Sequence, residues 1–534
     1  MSTGRTIARN TAFNAAGRVW EALVGLVLVA YIVWRIGLEG YGLWAVVAAF
    51  TGYAALFDLG VGSAYSKYIA EHAARNERDE ISRVVSTGFF FYLVFASLFI
   101  AVTWPAVDGL IALIAKLNPE HAGDLGRAEV LDDLRFLIRW GLVLFAVSNC
   151  IAPFTAIQTG LQRMGITNLI GFGVSFVKIG FTVYFLETGH GIRGLLYTNA
   201  IVLGVFALAS LAAGFYLLPS LRVSITRINR PTFSKLFQFG WRSQVSRLSN
   251  LVMFHTDVLV IAIVLRDFQL AGLYTIGVEL ANKLRQVPTI LLTALVPAAS
   301  ELDARDEQEK LRRLYLRSSK YVAAISVPLL AFAAGAAALL IKGWQGTLQD
   351  LTVSFVVLRI MAAGYLANII PGAGVTIALG KGRPDIQMKA GLISMTSNIL
   401  LTVALVYWIG FWGIPIATAV SMLLSWAWFA RAMGFLVNAG PRRLFDVALR
   451  WPLLAAAPGL ILCAAADCVG FGLQGRALNL AVAAVAGAVL LASYLALLRR
   501  TPFIDSTDLD FFDEVLRLDR APGYRWWTRA IRKR

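Results

Sequence analysis

About fourteen apolar runs of roughly twenty residues follow one another along the chain, each long enough to cross a ~30 Å hydrocarbon core as a helix. They centre near residues 23, 51, 95, 148, 176, 206, 252, 285, 330, 365, 397, 421, 461 and 487. In lipid every backbone N–H and C=O must be satisfied within the protein, so such runs have few folds open to them. The fold class expected is all-α integral membrane. Composition agrees, with 58% hydrophobic and 15% charged residues, where a soluble domain has about 25% charged.

The charged residues set direction. Basic groups gather in alternate connections: Lys67, Arg75, Arg78 and Arg83, then Arg222, Arg227, Arg230 and Lys235, then Lys310 through Lys320, then Lys381 and Arg383, then Arg442, Arg443 and Arg450. The intervening connections are short or, at 107–135, acidic. By the positive-inside rule both termini face the cytoplasm, in a multi-pass protein. The net charge of +17 then suits anionic lipid headgroups rather than nucleic acid. The first apolar segment carries Arg18 and Glu21 with no small-residue cleavage site behind it, so it is expected to remain a helix.

The longest basic connection, 219–240, divides the chain. Residues 1–218 form an expected six-helix bundle and 241–440 a second. Residues 441–498 add a terminal helix pair and 499–534 a basic amphipathic tail. Each bundle opens on a similar stretch, "FNAAGRVW" and "FGWRSQVSR". Two bundles around a central site suit a transporter.

A charge inside the bilayer is costly and marks function by default. At 100° per residue, Asn14, Arg18, Glu21 and Gly25 share about 60° of one helix. Gln244, Arg247, Asn250, His255 and Asp257 fall within about 160° of another. Glu279, Asn282, Lys283 and Gln286 stripe a third, and Asn168, Ser175, Lys178 and Thr182 a fourth. Converging, these stripes would line a cavity in which cations lead: Arg18, Lys178, Arg247 and Lys283 with Asn250 as substrate-binding residues, and Arg139, Arg285 and Arg359 as further cations. Glu21, Asp58, Asp257 and Glu279 are the carboxylates suited to coupling or gating. A guanidinium fork bonds two phosphate oxygens at once, so the expected cargo is anionic. The bland alternative is local pairing of Arg18 with Glu21 and of Glu279 with Lys283, three and four residues apart. Arg285 reads better as an interfacial anchor than as a ligand.

Three cysteines and four histidines show no metal-ligand spacing, and no phosphate-binding glycine loop occurs, so no metal or cofactor is expected. The tail holds Asp508-Leu509-Asp510 on "STDLDFFDEVLRLDR", which reads as an amphipathic surface helix, and ends "YRWWTRAIRKR", suited to anionic headgroups.

Residues 36–71, "IGLEGYGLWAVVAAFTGYAALFDLGVGSAYSKYIAE", resemble the second-span region of the bacterial polysaccharide (oligosaccharide) flippase family. The matching blocks are Ile36 to Leu43, and Gly52-Tyr53 with Leu56 to Gly60, Gly62 and Ala64. "YTIGVELANKLRQVPTILLTALVPAASEL" is similar to that family's second-half helix. The resemblance implies the multidrug/oligosaccharidyl-lipid/polysaccharide exporter fold and a transporter rather than an enzyme. It further implies a bacterial inner-membrane protein that carries a polyprenyl-phosphate-linked oligosaccharide outward by alternating access, for cell-surface polysaccharide synthesis. Asp58 carries over as a packing and gating position. A coupling ion, H+ or Na+, would meet one of the carboxylates. The alternatives are a multidrug antiporter of the same fold, which would want a carboxylate-rich cavity, and an integral-membrane glycosyltransferase or polymerase, which would want a larger acidic loop.

Overall fold

A computed structural model describes the backbone of residues 3–54, 61–116, 125–289, 292, 295–346, 350–470, 472–505 and 508–509. Within those ranges the side chains of 3–16, 18, 61–63, 113–116, 125–127, 239–247, 250, 295–298 and 470 are not described. The chain forms two compact units, Met1–Thr275 and Ile276–Arg534.

In the first unit the helices are α1 (Thr3–Ala54), α2 (Val61–Ala74), α3 (Arg78–Lys116), α4 (Leu125–Gly160), α5 (Met164–Glu187), α6 (Gly191–Leu217) and α7 (Arg230–Val260); α8 (Phe268–Thr289) begins there and crosses the boundary. The second holds α9 (Leu295–Ala304), α10 (Gln308–Gly335), α11 (Ala337–Gln345), α12 (Thr352–Ile369), α13 (Gly372–Gly380), α14 (Pro384–Ile409) and α15 (Gly413–Val437), then α16 (Pro441–Leu444), α17 (Arg450–Gly470) and α18 (Arg476–Leu498). Among the described residues ten helical segments are long and apolar enough to cross a membrane. All fourteen centres read from the sequence fall on helix. The protein is a multi-pass, all-α membrane protein. Large apolar side chains such as Leu169, Leu208, Val403 and Tyr407 stay outside the core, as lipid contact requires.

The 52-residue α1 holds two of those centres. A straight helix of that length would run ~78 Å, far more than one crossing needs. It turns at Gly37, whose φ of 74° is left-handed and suits glycine. One turn further on, Gly42 meets α8 so closely that a β-carbon there would lie 1.7 Å from the Phe268 carbonyl oxygen; one at Gly272 would lie 2.3 Å from that of Leu38. Two backbones touch through two glycines, which accounts for the glycines of the "IGLEGYGL" block. Backbone cannot step aside as a rotamer can. Gly42→Ala and Gly272→Ala should each destabilise by about 1–3 kcal/mol, the usual cost of overpacking, read as a lower thermal midpoint in detergent.

The basic segment that the sequence reading made a linker leads into α7, which packs on α1, α2 and α3 inside the first unit. In the second unit α10 is central, touching α9, α12, α13, α15, α17 and α18. The terminal pair α17–α18 packs on α10 and α11 as part of that unit.

Candidate functional site

In the first unit α1 and α5 run side by side. A β-carbon at Gly17 would meet Asn168 Oδ1 at 2.7 Å. Above it Trp20 packs on Phe172 and Phe176, with centroids 4.7 and 5.5 Å apart. Farther along, Tyr31 donates to Glu187 at 2.6 Å and Arg35 pairs with the same carboxylate. Of the polar stripes on these two helices, Asn168 meets α1 at Gly17, and Glu21 and Lys178 are exposed. The side chains of Arg18, Arg247 and Asn250, and all of Asp58, lie outside the described residues.

The described part of the α7 stripe splits between two neighbours. His255 faces α1, where a β-carbon on Gly52 would sit 3.2 Å from its Nε2, and Thr256 hydrogen-bonds Tyr53. Asp257 turns to α8 and is 2% exposed, accepting from the Tyr274 hydroxyl. Residues two apart on a helix point about 160° away from each other, so one stripe in sequence serves two packing faces.

In the second unit, Glu279 and Lys283 pair at 3.1 Å and are both part-exposed, the local pairing their spacing allows. Arg285 departs from the sequence reading. It is part-buried, and its guanidinium donates from Nε and Nη2 to Asn282 Oδ1 at 3.0 and 2.9 Å. Nη1 donates to Asn368 Oδ1 at 3.0 Å, and the Tyr365 ring lies 5.3 Å away. An interfacial anchor would extend to the surface. This one is braced by two neutral carboxamides and a ring face, which fixes its orientation.

Two other cations named in the sequence reading serve packing. Arg139 pairs with Asp108 and stacks on Trp104 between α3 and α4. Arg359 pairs at 2.6 Å with Asp467 of α17, itself 1% exposed and accepting from the Ala338 and Leu339 amides at 3.2 and 2.9 Å. Asp467 thereby caps the start of α11. Neither partner is near its arginine in sequence, so spacing could not disclose them. Among the described residues no cluster of three or more His, Cys, Asp or Glu is placed to hold a metal.

Comparison with known proteins agrees with this architecture. A putative O-antigen transporter of Shigella flexneri is 22% identical over 385 residues, covering 71% of this chain and 86% of its own. A probable flippase of Haloferax volcanii, AglR, is 25% identical over 448 residues, covering 82% and 85%. The solved structure of the lipid II flippase MurJ, inward closed, aligns with a TM-score of 0.60 at 14% identity, over 95% of this chain and 100% of that one. An inward-facing multidrug resistance MATE family transporter of the MOP superfamily aligns at 0.56, also at 14% identity, over 80% and 95%. At such identities the two structures speak for the fold alone. The profile of the family described as "Polysaccharide biosynthesis protein" matches residues 7–303, more than half of the sequence, and the chain belongs to that family.

Proposed function

We propose that this protein is a flippase that moves a polyprenyl-phosphate-linked oligosaccharide from the cytoplasmic to the outer leaflet of the bacterial inner membrane, by alternating access and with both termini cytoplasmic. The observation that carries the reading is the family membership, joined to two relatives named as a transporter and a flippase over most of their lengths. The charges support an anionic cargo. Arg285, oriented by Asn282 and Asn368, presents a fixed guanidinium to phosphate oxygens. In the first unit Arg18, Arg247, Lys178 and Asn250 are the candidate cationic and polar groups, from α1, α5 and α7, and in the second Lys283, paired with Glu279, is a further candidate. Asp257, Glu21, Glu279 and Asp58 are the carboxylates on which a coupling ion, H+ or Na+, would act.

Reconstituted protein should carry a fluorescent polyprenyl-diphosphate oligosaccharide between leaflets. Failure to do so under any ion gradient or sugar would overturn the reading.

A further inference from the structure

The tail segment after α18 returns to α10. Asp508, read from the sequence as part of an exposed helix, is 1% exposed. Its carboxylate accepts from Tyr321 Oη at 2.7 Å, Arg317 Nε at 3.3 Å, the Asp505 amide at 3.1 Å, and Lys320 Nζ. Asp505 in turn accepts from the Asp508 amide at 2.9 Å, so the two acids cap one turn reciprocally. Leu509 is fully buried beside them, and the Phe503 ring lies 5.1 Å from the Lys320 ammonium.

We propose that Lys320, Arg317 and Tyr321 form an anion-receiving site on α10, held in this state by the chain's own Asp508, and that a phosphate-bearing anion exchanges with it and releases the tail segment as a strap. Three features support exchange rather than a static pin. Lys320 is 7% exposed, and a buried ammonium without an anion is costly, so the site must always be filled. Two cations and a hydroxyl converging on one carboxylate are also the donors a phosphate takes, with more oxygens to offer them. The strap itself carries an affinity for phosphate-rich surfaces. Arg499 and Arg500 precede it, and Arg525, Trp526, Trp527, Arg529, Arg532, Lys533 and Arg534 follow it. On the orientation proposed above, the first turns of α10 lie at the cytoplasmic headgroups, where anionic lipid attracts such residues. The ligand chemistry is a phosphate group, from a lipid headgroup or from solution.

The test uses Leu509→Cys in full-length protein with Cys150, Cys463 and Cys468 replaced, and follows the labelling rate of the thiol at position 509 by a water-soluble maleimide. In phosphatidylcholine nanodiscs labelling should be slow. Phosphatidylglycerol nanodiscs, or inorganic phosphate added to phosphatidylcholine ones, should accelerate it on the order of tenfold; whichever arm responds names the source. Adding Asp508→Asn removes the charged competitor, so the midpoint of the anion titration should fall severalfold. Lys320→Met with Asp508→Asn keeps the turn but removes the buried pair, and should label slowly in every arm. Equal rates in all three media overturn the proposal. So does acceleration that persists in the Lys320→Met, Asp508→Asn protein. The labelling does not depend on transport, so loss of the flippase reading would leave this result standing.

Discussion

Asp467→Ala should lower the stability of the second unit by roughly 3 kcal/mol. The carboxylate satisfies two amides at the start of α11 and pairs with Arg359. Losing a cap costs about 1 kcal/mol, and each buried donor left unsatisfied adds about 1–3 kcal/mol. Arg359→Ala should cost less than half as much, because Asp467 keeps both amide donors and stays at a helix N-terminus, where negative charge is favoured. The comparison is made by thermal or denaturant unfolding of the two purified variants. Equal losses would mean that Asp467 stabilises through its ion pair to Arg359 of α12 rather than through the cap of α11.

Arg285→Ala carries the largest expected effect on transport. Truncating one partner of a buried, hydrogen-bonded charge contact costs about 2–5 kcal/mol in binding, on the order of thirtyfold or more in apparent affinity for the lipid-linked substrate. Arg285→Lys should not restore it, since an ammonium cannot hold Asn282 and Asn368 at once and present the same planar fork. Asn368→Leu, which removes one brace, should fall between wild type and Arg285→Ala. The readout is the substrate dependence of flipping, with folding checked by thermal midpoint. Full rescue by lysine would reduce Arg285 to a point charge.

Much of the fold was legible because lipid allows one local solution. Apolar length placed the helices, and all fourteen expected centres fall on helix. The helix-local pair Glu279–Lys283 was visible as spacing, and the structure forms it. What spacing cannot show is a partner far along the chain. Arg359 finds Asp467 and Arg139 finds Asp108 across helices, so in sequence both arginines read as cavity cations. Arg285 read as an interfacial anchor, and Asn368, from α12, is the partner that spacing could not disclose.

The tail holds a signal in its spacing. Asp505 and Asp508 stand three apart, the spacing of reciprocal caps at a helix start. An amphipathic pattern alone does not tell a surface helix from a segment folded back onto another. The glycines of "IGLEGYGL" likewise carried a resemblance before they carried a reason. Gly37 turns α1, and Gly42 lets it touch α8.

The proposed cargo is an anionic lipid-linked oligosaccharide. The most direct measurement sets leaflet exchange of a fluorescent polyprenyl-diphosphate oligosaccharide beside efflux of an organic cation, in the same proteoliposomes. The lipid-linked sugar should move, the cation should not, and Arg285→Ala should stop the first. Export of the cation while the sugar lipid stays in its leaflet would contradict the proposed cargo and favour a multidrug antiporter of the same fold.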